Sequence, residues 1–256
     1  MRDSVSFEQF VILLPPSRRN PNHSYSKNLI DVAWNMNRKL PNQLTVARII
    51  LAAAFFVLLG MYRQDAKWGS GMLNAAFVLY IVAGVTDVLD GCLARKWNVT
   101  SAFGRIADPF VDKVLVVGAF VMLTGSNFAA LPDGPGVVST FERDLPGWIT
   151  GGMISIVQPW MVVAIFAREF IVSAFRSYSE SQGIKFPATY AGKIKMFLQS
   201  VAICTVLYQL ANLPHTQWAI CMKIVSMWFA VIVTVGSGFA YVGKARRLLS
   251  AAVNRS

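Results

Sequence analysis

The sequence predicts an all-α integral membrane protein with six transmembrane helices, and three observations lead there. Of its 256 residues, 55% are hydrophobic and only 14% are charged, where a soluble domain carries about 25% charged residues. Six apolar stretches approach the ~20 residues that a spanning helix needs. The basic residues also gather on the segments that such a path would place on one side of a membrane.

The six spans follow in order. Leu44–Met61 is the first, begun by Pro41-Asn42 and interrupted by Arg48, and Met72–Leu89 is the second. Val114–Thr124 alone is too short to cross, so the third helix must recruit Ile106–Lys113, which draws Asp108 and Asp112 toward the membrane. The fourth runs within Trp148–Phe175, with a kink expected at Pro159, and carries Arg168 and Glu169. Met196–Leu213 and Ile224–Val242 complete the set. With six spans both termini share a side. Only Arg63, Lys67, Arg143 and Lys223 fall on the other, which leaves 20 of the 24 basic residues on one face, expected to be the cytoplasmic one. This makes the expected location the cell inner (cytoplasmic) membrane.

Residues 41–248 form the expected transmembrane catalytic domain, followed by a short cytoplasmic tail at 249–256. Residues 1–40 read as a cytoplasmic N-terminal tail. Within it, Asn28–Lys39 holds Leu29, Ile30, Ala33, Trp34 and Met36 at roughly helical spacing. A short helix lying in the membrane interface suits this pattern, and so does a plain basic linker. Phe10–Leu14 is too short for the apolar region of a signal peptide and is broken by Pro15 and Pro16.

Other classes fit poorly. A net charge of +11 is compatible with nucleic acid or with an anionic membrane surface, and the hydropathy favours the membrane. Cys92, Cys204 and Cys221 share no metal-type spacing, so neither a disulfide framework nor a zinc site follows. His23 and His215 lie far from any Ser or Cys motif, which argues against a Ser-His-Asp hydrolase.

The chemistry concentrates in Thr86–Val114, which reads TDVLDGCLARKWNVTSAFGRIADPFVDKV. Asp87 and Asp90 are three apart and Asp108 and Asp112 four apart, so each pair shares a helix face. Two successive helices thus present two carboxylates each at one membrane level. Ionised residues within spans are expensive and mark functional sites. Four carboxylates repel unless divalent ions neutralise them, and oxygen-only ligands favour Mg²⁺, Mn²⁺ or Ca²⁺ over Zn²⁺. Taken singly, any one of these aspartates could instead cap a helix or pair with Arg95, Arg105 or Lys113. Gly91, Ala94 and Gly104 have a plain reading as small residues in helix packing, and Arg48 could snorkel to the interface.

These residues match without a gap the pattern D-x2-D-G-x2-A-R-x8-G-x3-D-x3-D, at Asp87, Asp90, Gly91, Ala94, Arg95, Gly104, Asp108 and Asp112. That string resembles the signature of the CDP-alcohol phosphotransferase family, and eight fixed positions at ordinary residue frequencies make a chance match negligible. The resemblance implies the family's six-helix fold, usually a homodimer, with its active site open to the cytoplasm. It implies two metal ions, Mg²⁺ or Mn²⁺, held by Asp87, Asp90, Asp108 and Asp112. Asp112 also resembles the family's general base. Gly91, Ala94 and Gly104 would border a cytidine diphosphate pocket that Arg95 supports and Asp87 shares. Pro41-Asn42-x-Leu44-Thr45-x2-Arg48 resembles the start of the family's first helix, which makes Asn42, Thr45 and Arg48 candidate nucleotide or phosphate contacts.

A second pattern bears on the acceptor. Arg168-Glu169-x-Ile171-Val172-Ser173-x2-Arg176 and Gly192-Lys193-x-Lys195-x3-Gln199 resemble the family's bacterial branch that uses glycerol 3-phosphate. Similarity runs through roughly Leu40–Leu210. Arg168, Arg176, Lys193 and Lys195 are then the candidate ligands of the acceptor phosphate. Positive-inside topology alone explains Lys193 and Lys195, and a buried structural pair could explain Arg168 and Glu169. Met196 departs from the Thr usual in that branch, and the N-terminal extension of about 40 residues is atypical of it. The resemblance implies phosphatidyl transfer from CDP-diacylglycerol to glycerol 3-phosphate, with release of CMP. A cardiolipin synthase of the same fold, using phosphatidylglycerol, is the nearest alternative. Synthases using inositol phosphate or serine follow, and a divalent-cation transporter is the alternative from another class.

Overall fold

The computed structural model describes residues 43, 45–97, 102–130, 144–181 and 190–253. Side chains are described for all of these except 88–97, 102–109, 112, 180, 190–193, 242 and 244–253. The N-terminal tail with its interfacial segment, and the tail's end beyond Val253, lie outside that set.

Six long helices carry the described chain: α1 (Thr45–Met61), α2 (Gly69–Trp97), α3 (Ala102–Leu123), α4 (Pro159–Ser181), α5 (Tyr190–Asn212) and α6 (Gln217–Val253). Three contain stretches long and apolar enough to cross a membrane outright, Gly69–Asp87, Ile194–Asn212 and Gln217–Tyr241, while Thr45–Met61 and Lys113–Leu123 are shorter apolar segments. α3 does recruit the residues before Val114. α6 begins about two turns earlier than the hydropathy implies, at Gln217, and its backbone stays helical into the segment read as a tail.

One expectation is corrected. Trp148–Phe175 is not a single helix kinked at Pro159. A single turn, Gly147–Thr150, is followed by non-helical chain through Gln158, and Pro159 is the first residue of α4. Proline is favoured at a helix's first position, where its missing N–H costs nothing.

Both faces of most helices are apolar, for different reasons. Phe55, Leu59, Leu73, Ala76, Phe120, Met161, Ile203, Val206 and Met227 interlock in one buried core. The opposite faces expose Ile50, Val57, Val78, Val163, Phe170, Val225 and Phe239. A continuous exposed apolar belt of this kind suits lipid and not water. Trp68, Trp148 and Trp218 are all exposed at one end of the bundle, where indole rings favour the membrane–water boundary.

That same end is tied by polar contacts. Gln64 donates to the carbonyls of Asn127 and Ala129, Asn127 donates to Gly60 O, and Asn74 pairs with Asn212. Residues 154–158 are buried there, with Ile156 at φ 62° and Gly151, just before them, at φ 59°. A Cβ on Gly151 would lie 2.5 Å from Gln158 Cγ, so glycine is needed for space as well as for its backbone. Ser155 Oγ donates to Leu123 O at 2.7 Å, and the fully buried Lys223 donates to Ile154 O at 2.7 Å. Lys223 was expected among the loop charges of this side. It instead sits inside α6, where a buried ammonium requires acceptors.

α1 and α3 approach closely at Gly118, where a Cβ would lie 2.6 Å from Phe56 Cζ. Gly118→Ala should therefore push the Phe56 ring aside and cost roughly 1–3 kcal/mol, as overpacked cores do. Thermal unfolding in detergent checks this.

Candidate active site

Because successive helices alternate in direction, the end opposite the tryptophans collects the start of α1, the later part of α2, the start of α3, the later part of α4, the start of α5 and the later part of α6. The backbone puts Asp87, Asp90, Gly91, Ala94 and Arg95 on α2, and Gly104, Asp108 and Asp112 on α3. Asp87 is the one member of this group whose side chain is described. Asn42 lies outside the described residues, and for Lys193 the backbone alone, on α5, is described.

Arg48 and Asp87 form the first contact of the site. Arg48 Nη1 lies 2.6 Å from Asp87 Oδ1, with the arginine side chain 1% exposed and the aspartate 39%. The guanidinium is thus locked inside the bundle, while the carboxylate keeps an open flank. Thr45, one turn earlier on α1, is buried. The motif reading gave Arg48 a phosphate role and Asp87 a metal role. The structure joins the two residues, from successive helices, so any cation reaching Asp87 shares it with Arg48.

A second polar cluster lies between α3, α4, α5 and α6. The Glu169 carboxylate accepts from Lys195 Nζ and from Arg168 Nη1 at 3.3 Å. Arg168 lies over the Tyr241 ring, 5.5 Å from its centre, a cation–π distance. It also fits beside Gly238, where a Cβ would come 3.0 Å from Arg168 Cγ. Gln199 Nε2 donates to Thr234 Oγ1 at 3.0 Å, one turn deeper. Lys113 on α3 donates to Ser173 Oγ on α4. A cavity of about 50 Å³ is lined by Lys113, Glu169, Lys195, Met196 and Gln199. Arg176 is half-buried on α4.

Arg168 and Lys195 are therefore brought together. Lys195 is not the solvated positive-inside charge that topology alone would explain: it is buried and paired. Thr234 and Tyr241 were not anticipated, Lys113 was considered only as a partner of an aspartate, and Ser173 only as a position of the motif. Lys113 directly follows Asp112 on α3, but no spacing rule ties it to Ser173.

Beside this cluster an apolar groove of about 550 Å³ runs between α1, α3 and α4, past Phe56, Gly118, Val121, Phe166 and Phe170, with Lys113 and Glu169 at its polar end. Cations and carboxylates next to an apolar groove can hold a molecule with a charged head and apolar tails.

Comparison with known proteins gives the same direction. The family model for CDP-alcohol phosphatidyltransferase matches residues 38–236. The chain is 30% identical over 214 residues to CDP-diacylglycerol–glycerol-3-phosphate 3-phosphatidyltransferase of Bacillus subtilis, covering 80% of this chain and 94% of that one. It is 30% identical over 213 residues to the protein of that name from Shigella flexneri serotype 5b, covering 82% and 97%. For Rickettsia prowazekii the identity is 26% over 207 residues, covering 80% and 94%. With more than three quarters of its length matched, the chain belongs to the CDP-alcohol phosphatidyltransferase family.

Proposed function

We propose that the protein is a multi-pass membrane enzyme that transfers a phosphatidyl group from CDP-diacylglycerol to glycerol 3-phosphate, giving phosphatidylglycerophosphate and CMP. The observation that carries this reading is the similarity, over four fifths of the chain, to relatives that bear that activity as their name. The buried Arg168–Glu169–Lys195 cluster supports it, because an acceptor that carries phosphate needs fixed cations. Family membership decides for a transferase over a cation transporter.

In this reading the 1-hydroxyl of glycerol 3-phosphate attacks the lipid-side phosphorus of CDP-diacylglycerol. A new P–O bond forms, the bond from that phosphorus to the oxygen bridging to CMP breaks, and CMP departs. Asp112 takes the hydroxyl proton. Asp87, Asp90, Asp108 and Asp112 would hold two divalent ions, Mg²⁺ or Mn²⁺, and the donor chemistry fits, being all carboxylate, with Asp87 open on one flank. When bound, such ions neutralise the charge that develops on the attacking and leaving oxygens. Arg48, held at Asp87, and Thr45 with Asn42 would meet the donor's phosphates. Gly91, Ala94 and Gly104 would leave room for the cytidine, with Arg95 beside it, while Arg168, Arg176, Lys193 and Lys195 would receive the acceptor phosphate. The cytoplasmic side of the inner membrane is the expected face of the site, with both termini there, and a homodimer is the expected assembly.

The test is CMP release by purified protein in detergent, given CDP-diacylglycerol, a divalent ion and one alcohol at a time. Release with glycerol 3-phosphate is the expected result. Release with phosphatidylglycerol and not glycerol 3-phosphate would point to a cardiolipin synthase instead, and failure of folded protein to release CMP with any alcohol would remove the transferase reading.

A further inference from the structure

Glu169 has no part in the transfer as set out above, yet it is the residue on which the acceptor cluster converges. Its carboxylate takes Lys195 from α5 and Arg168 from its own helix. Arg168 is in turn braced by Gly238 and Tyr241 of α6. Lys113, arriving from α3, is fixed on Ser173, one turn beyond Glu169, and lines the same small cavity as Glu169 and Lys195. Side chains from four helices are therefore set around one carboxylate that is 12% exposed.

Lys and Arg side chains are long and flexible, and gathering three of them without a counter-charge is opposed by repulsion and by lost rotamer freedom. A buried carboxylate removes both objections before any ligand arrives. It also sets the charge. Three cations less one carboxylate leave these four residues at a formal +2, before Arg176 and Lys193 are counted, so the site favours the more highly charged ligand. A phosphate monoester carries about −1.5 to −2 at neutral pH, whereas the phosphodiester of a phospholipid acceptor carries a single negative charge.

Resting on the transferase reading above, we propose that Glu169 is a positioning residue of the acceptor site, holding Lys195 and Arg168 beside Lys113 as a preassembled cationic receptor for a phosphate monoester. The competing role for such a pair is a plain staple between helices, since buried ion pairs are weak evidence of stability or function by themselves.

Steady-state kinetics on Glu169→Gln and Glu169→Asp separate the two. Glutamine keeps the shape and removes the charge. It should raise the KM for glycerol 3-phosphate tenfold or more while the KM for CDP-diacylglycerol stays within twofold, and aspartate should recover part of the loss. An unchanged or lowered acceptor KM in Glu169→Gln overturns the proposal. So does a parallel loss for both substrates with a lowered thermal transition, which marks a staple. If Glu169→Gln does not fold, Glu169→Asp carries the decision, because its shortened carboxylate must still raise the acceptor KM selectively. Wild-type protein that releases no CMP with glycerol 3-phosphate would instead bring down the transferase reading, and this proposal with it.

Discussion

Replacing Asp112 by Asn should abolish turnover while leaving CDP-diacylglycerol bound. Asparagine keeps the size and one oxygen ligand of aspartate but cannot take a proton. The acceptor hydroxyl would then have to attack without a base, which costs about 10²–10⁴-fold in rate. Asp112 begins the second full turn of α3 after Asp108, and the backbone carries it to the level of Lys113, whose side chain reaches α4. CMP release and donor binding, measured on the same preparation, check the expectation. Donor binding lost together with turnover would make Asp112 chiefly a ligand.

The second large effect concerns stability, at the opposite end of the bundle. Lys223→Ala should lower the unfolding free energy by about 3 kcal/mol or more, combining a cavity where the buried stem was with a carbonyl at Ile154 that loses its donor. Lys223 is wholly buried and pins segment 151–158 to α6. That segment already carries a left-handed Ile156, a conformation a β-branched residue adopts only when its surroundings impose it. Lys223→Met keeps the stem and sheds the cost of a buried charge, so its loss should be clearly smaller. Thermal unfolding of both variants in detergent measures the difference. Equal losses would show that packing of the stem contributes little.

The helices and the motif were legible in the sequence because both are local. Apolar runs of spanning length mark α2, α5 and α6, and the short run before Thr124 forces α3 to begin upstream, as it does. The spacing of Asp87 with Asp90 and of Asp108 with Asp112 needs nothing beyond helical periodicity. Three other features could not be read this way. Hydropathy does not distinguish a buried irregular segment from a membrane span, so 151–158 merged with α4 and Pro159 looked like a kink when it is a start. Lys223 was assigned by topology to a loop, and Lys195 was read as an acceptor ligand that topology alone could also explain, whereas the surroundings of both are set by long-range partners, Ile154 and Glu169. The Arg48–Asp87 pair likewise joins residues already singled out for separate roles, and only the packing of α1 against α2 shows that they meet.

The most direct measurement is transfer itself. Purified protein in detergent, supplied with CDP-diacylglycerol, Mg²⁺ or Mn²⁺ and radiolabelled glycerol 3-phosphate, should move the label into a lipid-extractable product, with one CMP formed for each label transferred and none after chelation of the metal. Folded protein that leaves the label in the aqueous phase, while releasing CMP with phosphatidylglycerol, would contradict the account.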